Sequence, residues 1–145
     1  MTRSWLLDTN VVSELLRPKP DSRVAEWVAA QALETLHVSA VTQAEMLFGV
    51  RLMPAGKRQR EIEAAVHAIF SQDFAGRVLA FDTHAAPTYA DIVAARRREG
   101  YPISQFDAQI AAVARIHGLC LVTRNTADFE RCGLVLINPW VAADR

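Results

Sequence analysis

Short apolar segments alternate with longer amphipathic segments along this chain. The apolar pattern predicts five strands, at residues 5–7, 36–39, 78–81, 119–123 and 135–137. Apolar positions spaced three and four apart predict helices at residues 9–16, 22–33, 42–53 and 57–74, from 82 or 83 to 98, and from 104 to 118. Strands that alternate with helices favour a mainly parallel sheet of four to five strands, covered by helices on both faces.

Length and composition restrict the class of protein. The chain has 145 residues, 51% of them hydrophobic, and no repeat or linker, which predicts a single domain over residues 1–145. Its 16 basic and 16 acidic residues balance, so RNA or DNA contact would need a local basic patch, and no attraction to membranes is expected. Two cysteines without metal-ligand spacing indicate free thiols, and the first apolar run is too short for a signal or membrane span. We therefore expect a soluble, cytoplasmic protein.

Four acid or amide residues, Asp8, Glu45, Asp107 and Asn125, fall where predicted strands end or predicted helices begin. In an α/β fold with parallel strands, these points share the carboxyl edge of the sheet, where ligands bind. Carboxylates gathered there would repel one another and need a counter-charge. Oxygen ligands without matching histidine or cysteine favour Mg²⁺ or Mn²⁺, and such an ion would activate water to attack a phosphodiester.

Each acid also has a purely structural explanation. Thr42 to Glu45 fits a capping box, in which Glu45 would bond to the backbone at the start of a helix. Ser104 and Asp107 fit the same template, and Asp8 is a residue type favoured beside a helix N-terminus. Sequence spacing alone leaves both explanations open, and only the shared location at one sheet edge favours a metal site.

Nearly the whole chain resembles the PIN-domain ribonucleases, specifically the VapC-type and FitB-like toxins of bacterial toxin–antitoxin pairs. The segments that carry the resemblance are LLDTNVVSELLRP at 6–18, SAVTQAE at 39–45 followed by a Gly-Val pair at 49–50, FDAQIAAVA at 106–114, LVTRNTADF at 121–129 and INPW at 137–140. The resemblance implies a three-layer α/β/α sandwich and a Mg²⁺-dependent endoribonuclease. It also implies a homodimer that is inhibited by a cognate antitoxin, whose arginine would enter the acidic pocket.

By this resemblance, Asp8 and Asp107 would bind the metal directly, and Glu45 would orient water or bind a second ion. Asn125 occupies the fourth motif position, where some members of the family have an aspartate. An amide supplies an oxygen without a charge, which would weaken metal binding or limit the site to one ion. A second hypothesis is therefore a binding module that has lost catalysis. A phosphoacceptor receiver domain is disfavoured, because no lysine lies near the acidic edge.

Neighbouring polar residues are expected to support the site. Asn10, Ser13 and Thr123 would tune the ligands, each with an ordinary cap or turn role as the alternative. Asp128 could compensate for Asn125, although a cap before Phe129 is the favoured interpretation. Among the basic residues, Arg124 is the one expected to contact an RNA phosphate. The two tryptophans at 27 and 140 are expected in the core.

Overall fold

The computed structural model describes residues 3–141. Its strands are β1 (Trp5–Leu7), β2 (Leu36–Ser39), β3 (Val78–Leu79), β4 (Cys120–Val122) and β5 (Leu136–Ile137). Its helices are α1 (Thr9–Leu15), α2 (Ser22–Ala29), α3 (Ala40–Leu52), α4 (Lys57–Ala68), α5 (Ala86–Arg98) and α6 (Gln105–Ile116). No helix within this described range is long and apolar enough to cross a membrane.

The five strands form one parallel sheet in the order β3-β2-β1-β4-β5. The chain builds outward from β1 through β2 to β3, then crosses back to place β4 on the other side of β1. That reversal creates a switch point between β1 and β4, the position where open α/β sheets leave a crevice at their carboxyl edge. The predicted α/β sandwich with a central parallel sheet is confirmed.

Alternate residues of the central strands supply the cores on the two faces of the sheet. In β1, Leu6 packs with the core that includes α5 and α6, and Leu7 packs with the core that includes α1, α2 and α4. Leu121 and Val122 divide between the same two cores in β4. All four side chains have no exposed surface, as expected for a parallel sheet covered on both sides. The carboxyl ends of β1 and β4 are therefore held rigidly from above and below.

Two helices end earlier than the sequence pattern predicts. α2 stops at Ala29, and a short 3-10 turn, Leu33–Thr35, leads into β2. The side-chain amide of Gln31 donates to the carbonyl of Trp27, which satisfies one of the acceptors at the end of this helix. α4 stops at Ala68 and continues as a π-helical turn, Ile69–Asp73. The π-helical turn keeps Ile69 and Phe70 on the core, as the periodicity predicted, whereas Ala32 and Leu33 beyond the end of α2 are exposed.

Two helix starts also differ from expectation. α3 begins at Ala40, two residues before the predicted start, because the hydroxyl of Ser39 accepts from the backbone N–H of Thr42 at 3.1 Å and caps the helix. α5 begins at Ala86, so the prediction of a cap at Asp82 or Thr83 is wrong. Asp82 instead accepts from backbone N–H groups in the turn that precedes the helix.

Candidate active site

A cavity of about 510 Å³ opens at the carboxyl edge of the sheet, beside the β1–β4 switch point. Seven of the residues singled out from the sequence line it: Asp8, Asn10, Ser13, Glu45, Asp107, Asn125 and Asp128. Three further residues that the sequence interpretation did not select also line it: Thr9, Glu14 and Arg17. The folded chain thus brings together acids that are as far apart in sequence as Asp8 and Asp128.

Asp8 lies at the buried end of the cavity, and only 5% of the surface of this residue is exposed. Its backbone N–H donates to the carbonyl of Val122, so the β1–β4 ladder extends to this residue. One carboxylate oxygen accepts from the backbone N–H of Thr9 at 2.8 Å, and Asp8 is the N-cap of α1. The other accepts from the Thr123 hydroxyl at 2.7 Å and from the Asn10 amide at 3.2 Å. The capping role and the site position of Asp8 are therefore compatible.

The pKa of Asp8 is raised from its ordinary value of 3.8 to about 6. Burial is the largest cause, because removing a carboxylate from water disfavours its charged form. The hydrogen bonds from Thr123 and Thr9 oppose this shift, and the negative charges of Asp107 and Glu45 add to it. A cation in the cavity would reverse the effect of burial and of the neighbouring acids.

The structure does not support the capping-box explanation of Glu45. This residue lies in the second turn of α3, and the Thr9 hydroxyl donates to its carboxylate at 2.7 Å. The Thr9 hydroxyl also lies 3.0 Å from the hydroxyl of Thr42, which in turn accepts from Ser39 at 3.3 Å. This chain of three hydroxyl groups joins the ends of β1 and β2 and aims Glu45 into the cavity.

Asp107 lies in the first turn of α6, where the Ser104 hydroxyl accepts from its backbone N–H at 3.2 Å and caps the helix as predicted. The pKa of Asp107 is raised, mainly by burial, and the charges of Asp128 and Glu45 raise it further. Ser104 and the buried Arg96 act in the opposite direction. The negative charges of neighbouring acids thus raise the pKa values of both Asp8 and Asp107.

The turn after β4 brings an amide and a further acid to the cavity. Thr123 is fully buried and accepts from the backbone N–H of Asn125 at 3.1 Å. Asp128 lies within a 3-10 turn, Thr126–Phe129, so its interpretation as a helix cap is wrong. The guanidinium of Arg96 donates to the carbonyls of Asp128 and Glu130 at 2.8 and 2.9 Å and fixes the turn from below.

Arg124 does not line the cavity. Its guanidinium lies over the ring of Trp140, 5.0 Å from the centroid, and its backbone N–H donates to the side chain of Asn10. Trp140 is buried against the core, as expected. The stacking holds Arg124 beside the site, on the strand β4 side, and its contact with RNA remains a prediction.

Glu14 and Arg17 were missed, although the sequence carried a signal for them. Asn10, Ser13, Glu14 and Arg17 are spaced by three, one and three residues, the spacing of one helix face. This polar stripe, next to Asp8, predicts that one face of the first helix points toward the site. Thr9 carried no such signal, because its partners Thr42 and Glu45 are more than thirty residues away.

The donor set agrees in chemistry with a hard divalent cation, since it consists of carboxylate and amide oxygens. The carboxylates are not gathered around one point, however. Within residues 3–141, no three histidine, cysteine, aspartate or glutamate side chains form a group close enough to hold an ion. Binding an ion would therefore require the side chains that line the cavity to move toward one another.

Fold and site together define an α/β domain with an acidic crevice at the switch point of a parallel sheet. A family model described as PIN domain matches residues 5–133, and the chain belongs to this family. It is 46% identical to VapC ribonuclease Y4jK of Sinorhizobium fredii, with 95% of this chain and 99% of the relative covered. Toxin FitB of Neisseria gonorrhoeae is 40% identical, over 93% and 97% of the two chains. A solved structure of FitAB bound to DNA superposes with a TM-score of 0.90 at 38% identity, covering 97% and 98%.

Proposed function

We propose that this protein is a metal-dependent endoribonuclease toxin of a toxin–antitoxin pair. The observation that carries the proposal is the shared cavity of Asp8, Glu45 and Asp107, in which two of the three carboxylates have raised pKa values. Perturbed acids that converge in a crevice are typical of sites that bind cations or transfer protons. The similarity to a VapC ribonuclease over nearly the full length of both chains supports the nuclease assignment.

Asp8 and Asp107 would hold the ion, and Glu45 would orient the attacking water or hold a second ion. Mg²⁺ is the preferred ion and Mn²⁺ an alternative, because both take carboxylate oxygens and retain water. When bound, such an ion lowers the pKa of water and stabilises negative charge on the leaving oxygen. The supporting residues have distinct tasks. Thr123 and Asn10 orient the carboxylate of Asp8, and Thr9 orients that of Glu45.

The remaining parts of the proposal concern partners. RNA is the substrate, a cognate antitoxin is the inhibitor, and the toxin acts as a homodimer in the cytoplasm, where its substrate is found. The relative named as a toxin and the superposed FitAB complex support an antitoxin partner. An acidic cavity suits an inhibitor that inserts a basic side chain, because an arginine would offset the repulsion among the carboxylates.

A second candidate is a PIN-fold binding module without catalysis. Asn125 favours it, because an amide at the fourth position removes one negative charge from the cavity. Such a module would still associate with RNA or with an antitoxin. The two candidates differ in a single observable, the cleavage of RNA.

The deciding experiment incubates purified protein with labelled RNA in Mg²⁺, in Mn²⁺ and with a chelator. We expect cleavage by the wild type in either ion, none with the chelator, and none by an Asp8→Ala variant. Asp91→Ala is the matched control, because Asp91 is an exposed aspartate on α5 outside the cavity. Equal cleavage by the wild type and Asp8→Ala would rule out this active site. RNA binding without cleavage in either ion would favour the second candidate.

A further inference from the structure

The charges around the candidate active site are unevenly distributed. Five of the residues that line the cavity are acids: Asp8, Glu14, Glu45, Asp107 and Asp128. Among residues 3–141, Arg17 is the one basic residue that lines the cavity. RNA is a polyanion, and its phosphate groups would meet strong repulsion at this edge of the sheet. A basic side chain on the rim of the cavity therefore lies where a phosphate group needs an attractive contact.

Arg17 is held at the rim by a buried partner. Its guanidinium Nη1 donates to Glu14 Oε1 at 3.4 Å, and its backbone N–H donates to the carbonyl of Glu14 at 3.1 Å. The other carboxylate oxygen of Glu14 accepts from the backbone N–H of Asp21 at 2.9 Å. Glu14 is 7% exposed, so its carboxylate is fixed between α1 and the start of α2.

This arrangement differs from an ordinary surface ion pair, in which two mobile side chains neutralise each other. Only one partner is mobile here, because 67% of the Arg17 side chain is exposed while 7% of the Glu14 side chain is. The contact at 3.4 Å is long for a charge-assisted hydrogen bond. The guanidinium thus keeps most of its donors directed to solvent at the mouth of the cavity. A guanidinium can offer two parallel donors to a phosphate group.

We propose that Arg17 binds an RNA phosphate next to the cleaved bond and that Glu14 is the positioning residue that holds Arg17 over the cavity. The proposal rests on the proposed ribonuclease function and adds a substrate contact to it. Two other roles would place the same side chain at the same rim. Arg17 could be only an internal counter-charge for the acids, or it could bind an acidic segment of a protein partner.

The first experiment compares Arg17→Ala and Arg17→Lys with the wild type in steady-state RNA cleavage. For Arg17→Ala we expect KM to rise roughly tenfold or more, with kcat changed less than about twofold, because one charge-assisted contact is lost. Arg17→Lys should recover part of the loss, since lysine keeps the charge but not the paired donors. Arg51→Ala is the matched control, because Arg51 is similarly exposed and paired with Glu63 outside the cavity.

Salt dependence separates a phosphate contact from a structural effect. Binding of a fluorescent single-stranded RNA, measured by anisotropy in chelator over a series of KCl concentrations, should show a shallower slope for Arg17→Ala. The slope of log affinity against log salt should fall by about 0.7, the contribution of one neutralised phosphate on a single strand. Arg51→Ala should keep the wild-type slope. A variant that is only less well folded would bind RNA more weakly at every salt concentration and would keep the wild-type slope.

The second experiment tests the positioning role of Glu14. Glu14→Gln keeps an oxygen for the Asp21 N–H and removes the charge that attracts Arg17, so we expect a rise in KM smaller than that of Arg17→Ala. The double variant should be no worse than Arg17→Ala alone, because residues that act as a unit are non-additive. Additive losses together with a lower melting temperature would show that Glu14 has only a structural role and would overturn this part of the proposal.

The outcomes distinguish this proposal from the ribonuclease function itself. If the wild type cleaves RNA and Arg17→Ala has the same KM and salt slope, the phosphate contact is wrong and the counter-charge role remains. If Arg17→Ala loses only its affinity for a co-purified protein partner, the contact belongs to that partner and the proposal is also overturned. If the wild type binds RNA without cleaving it, the nuclease function fails, while the anisotropy series still decides the role of Arg17.

Discussion

The two sides of the acidic cavity are built differently. On the side formed by β1, α1 and α3, which we term the β1 side, the carboxylates of Asp8 and Glu45 accept hydrogen bonds from Thr123, Thr9 and Asn10. On the opposite side, formed by α6 and the turn after β4 and termed the α6 side, Asp107 is half-buried like Glu45, and Asp128 is exposed. The β1 side is thus fixed by protein donors, whereas the α6 side depends mainly on helix and backbone placement.

This difference indicates which side can adjust to a ligand. The hydrogen bonds that orient Asp8 keep its carboxylate buried. The raised pKa of Asp8 shows that a negative charge at this buried position costs free energy. The α6 side carries less of that cost, because Asp107 is only partly buried. We infer that an ion would be received by a rigid β1 side and enclosed by movement of the α6 side.

The largest expected effect is on catalysis and should be equal on the two sides. Asp8→Asn and Asp107→Asn should each lower the rate of RNA cleavage by roughly a hundredfold to a thousandfold, because each removes a carboxylate that would hold the ion, and the ion is what stabilises charge on the reacting phosphate. The measurement is single-turnover cleavage in Mg²⁺, with Asp91→Asn as the control. An Asp107→Asn variant that cleaves at the wild-type rate would remove the α6 side from the active site.

Stability against pH should separate the two sides. The folded-state pKa of Asp8, about 6, lies above its ordinary value of 3.8, so the folded protein binds this proton more tightly. The resulting stabilisation is present below pH 3.8 and is lost as the pH rises through 6. Asp8→Asn should therefore gain on the order of 3 kcal/mol relative to the wild type between about pH 3.5 and pH 7.

Urea unfolding of both proteins without divalent ions, repeated across this pH range, measures the difference. Asp107→Asn should show the same direction with a smaller amplitude, because Asp107 is less buried than Asp8. A flat difference between Asp8→Asn and the wild type would show that Asp8 has an ordinary pKa in the folded protein.

Removing the hydroxyl that donates to Asp8 on the β1 side should destabilise the fold. Thr123→Val keeps the volume of the side chain but leaves the buried carboxylate of Asp8 without its shortest hydrogen bond. We expect a loss of about 2 kcal/mol in the free energy of unfolding at neutral pH, the usual contribution of a hydrogen bond to a charged group. Thr35→Val is the control, because its buried hydroxyl bonds to the carbonyl of Ala32 far from the cavity. Similar losses in both variants would argue against a special role for Thr123.

The smallest expected effect is stabilisation by the ion itself. At ten times its dissociation constant, a divalent cation that binds only the folded protein should add about 1.4 kcal/mol to the free energy of unfolding. The measurement is thermal unfolding with increasing Mg²⁺ or Mn²⁺, and the shift should vanish in Asp8→Asn and in Asp107→Asn. A shift that persists in both variants would place the ion outside this cavity.

Site residues at predicted strand or helix ends could be found from the sequence. Contacts between residues far apart in the sequence could not. Asp8 and Asp107 were found because each follows a strand end or begins a helix, and periodicity fixes those points within a few residues. The hydrogen bond from Thr9 to Glu45 spans 36 residues, so no local pattern encodes it. The capping-box pattern from Thr42 to Glu45 also suggested a structural role that the fold does not support. α3 begins at Ala40 and is capped by Ser39, so Glu45 lies beyond the first turn. The order of the strands decided which of these side chains would meet.

The hydrogen bond between Asp8 and Thr123 joins residues 115 positions apart. During synthesis, the aspartate leaves the ribosome early, but its orienting hydroxyl and strand β4 leave only when most of the chain has been made. A nascent or prematurely terminated chain that ends before residue 123 therefore cannot complete this corner of the cavity. The complete cavity therefore depends on one of the last segments of the chain to be made.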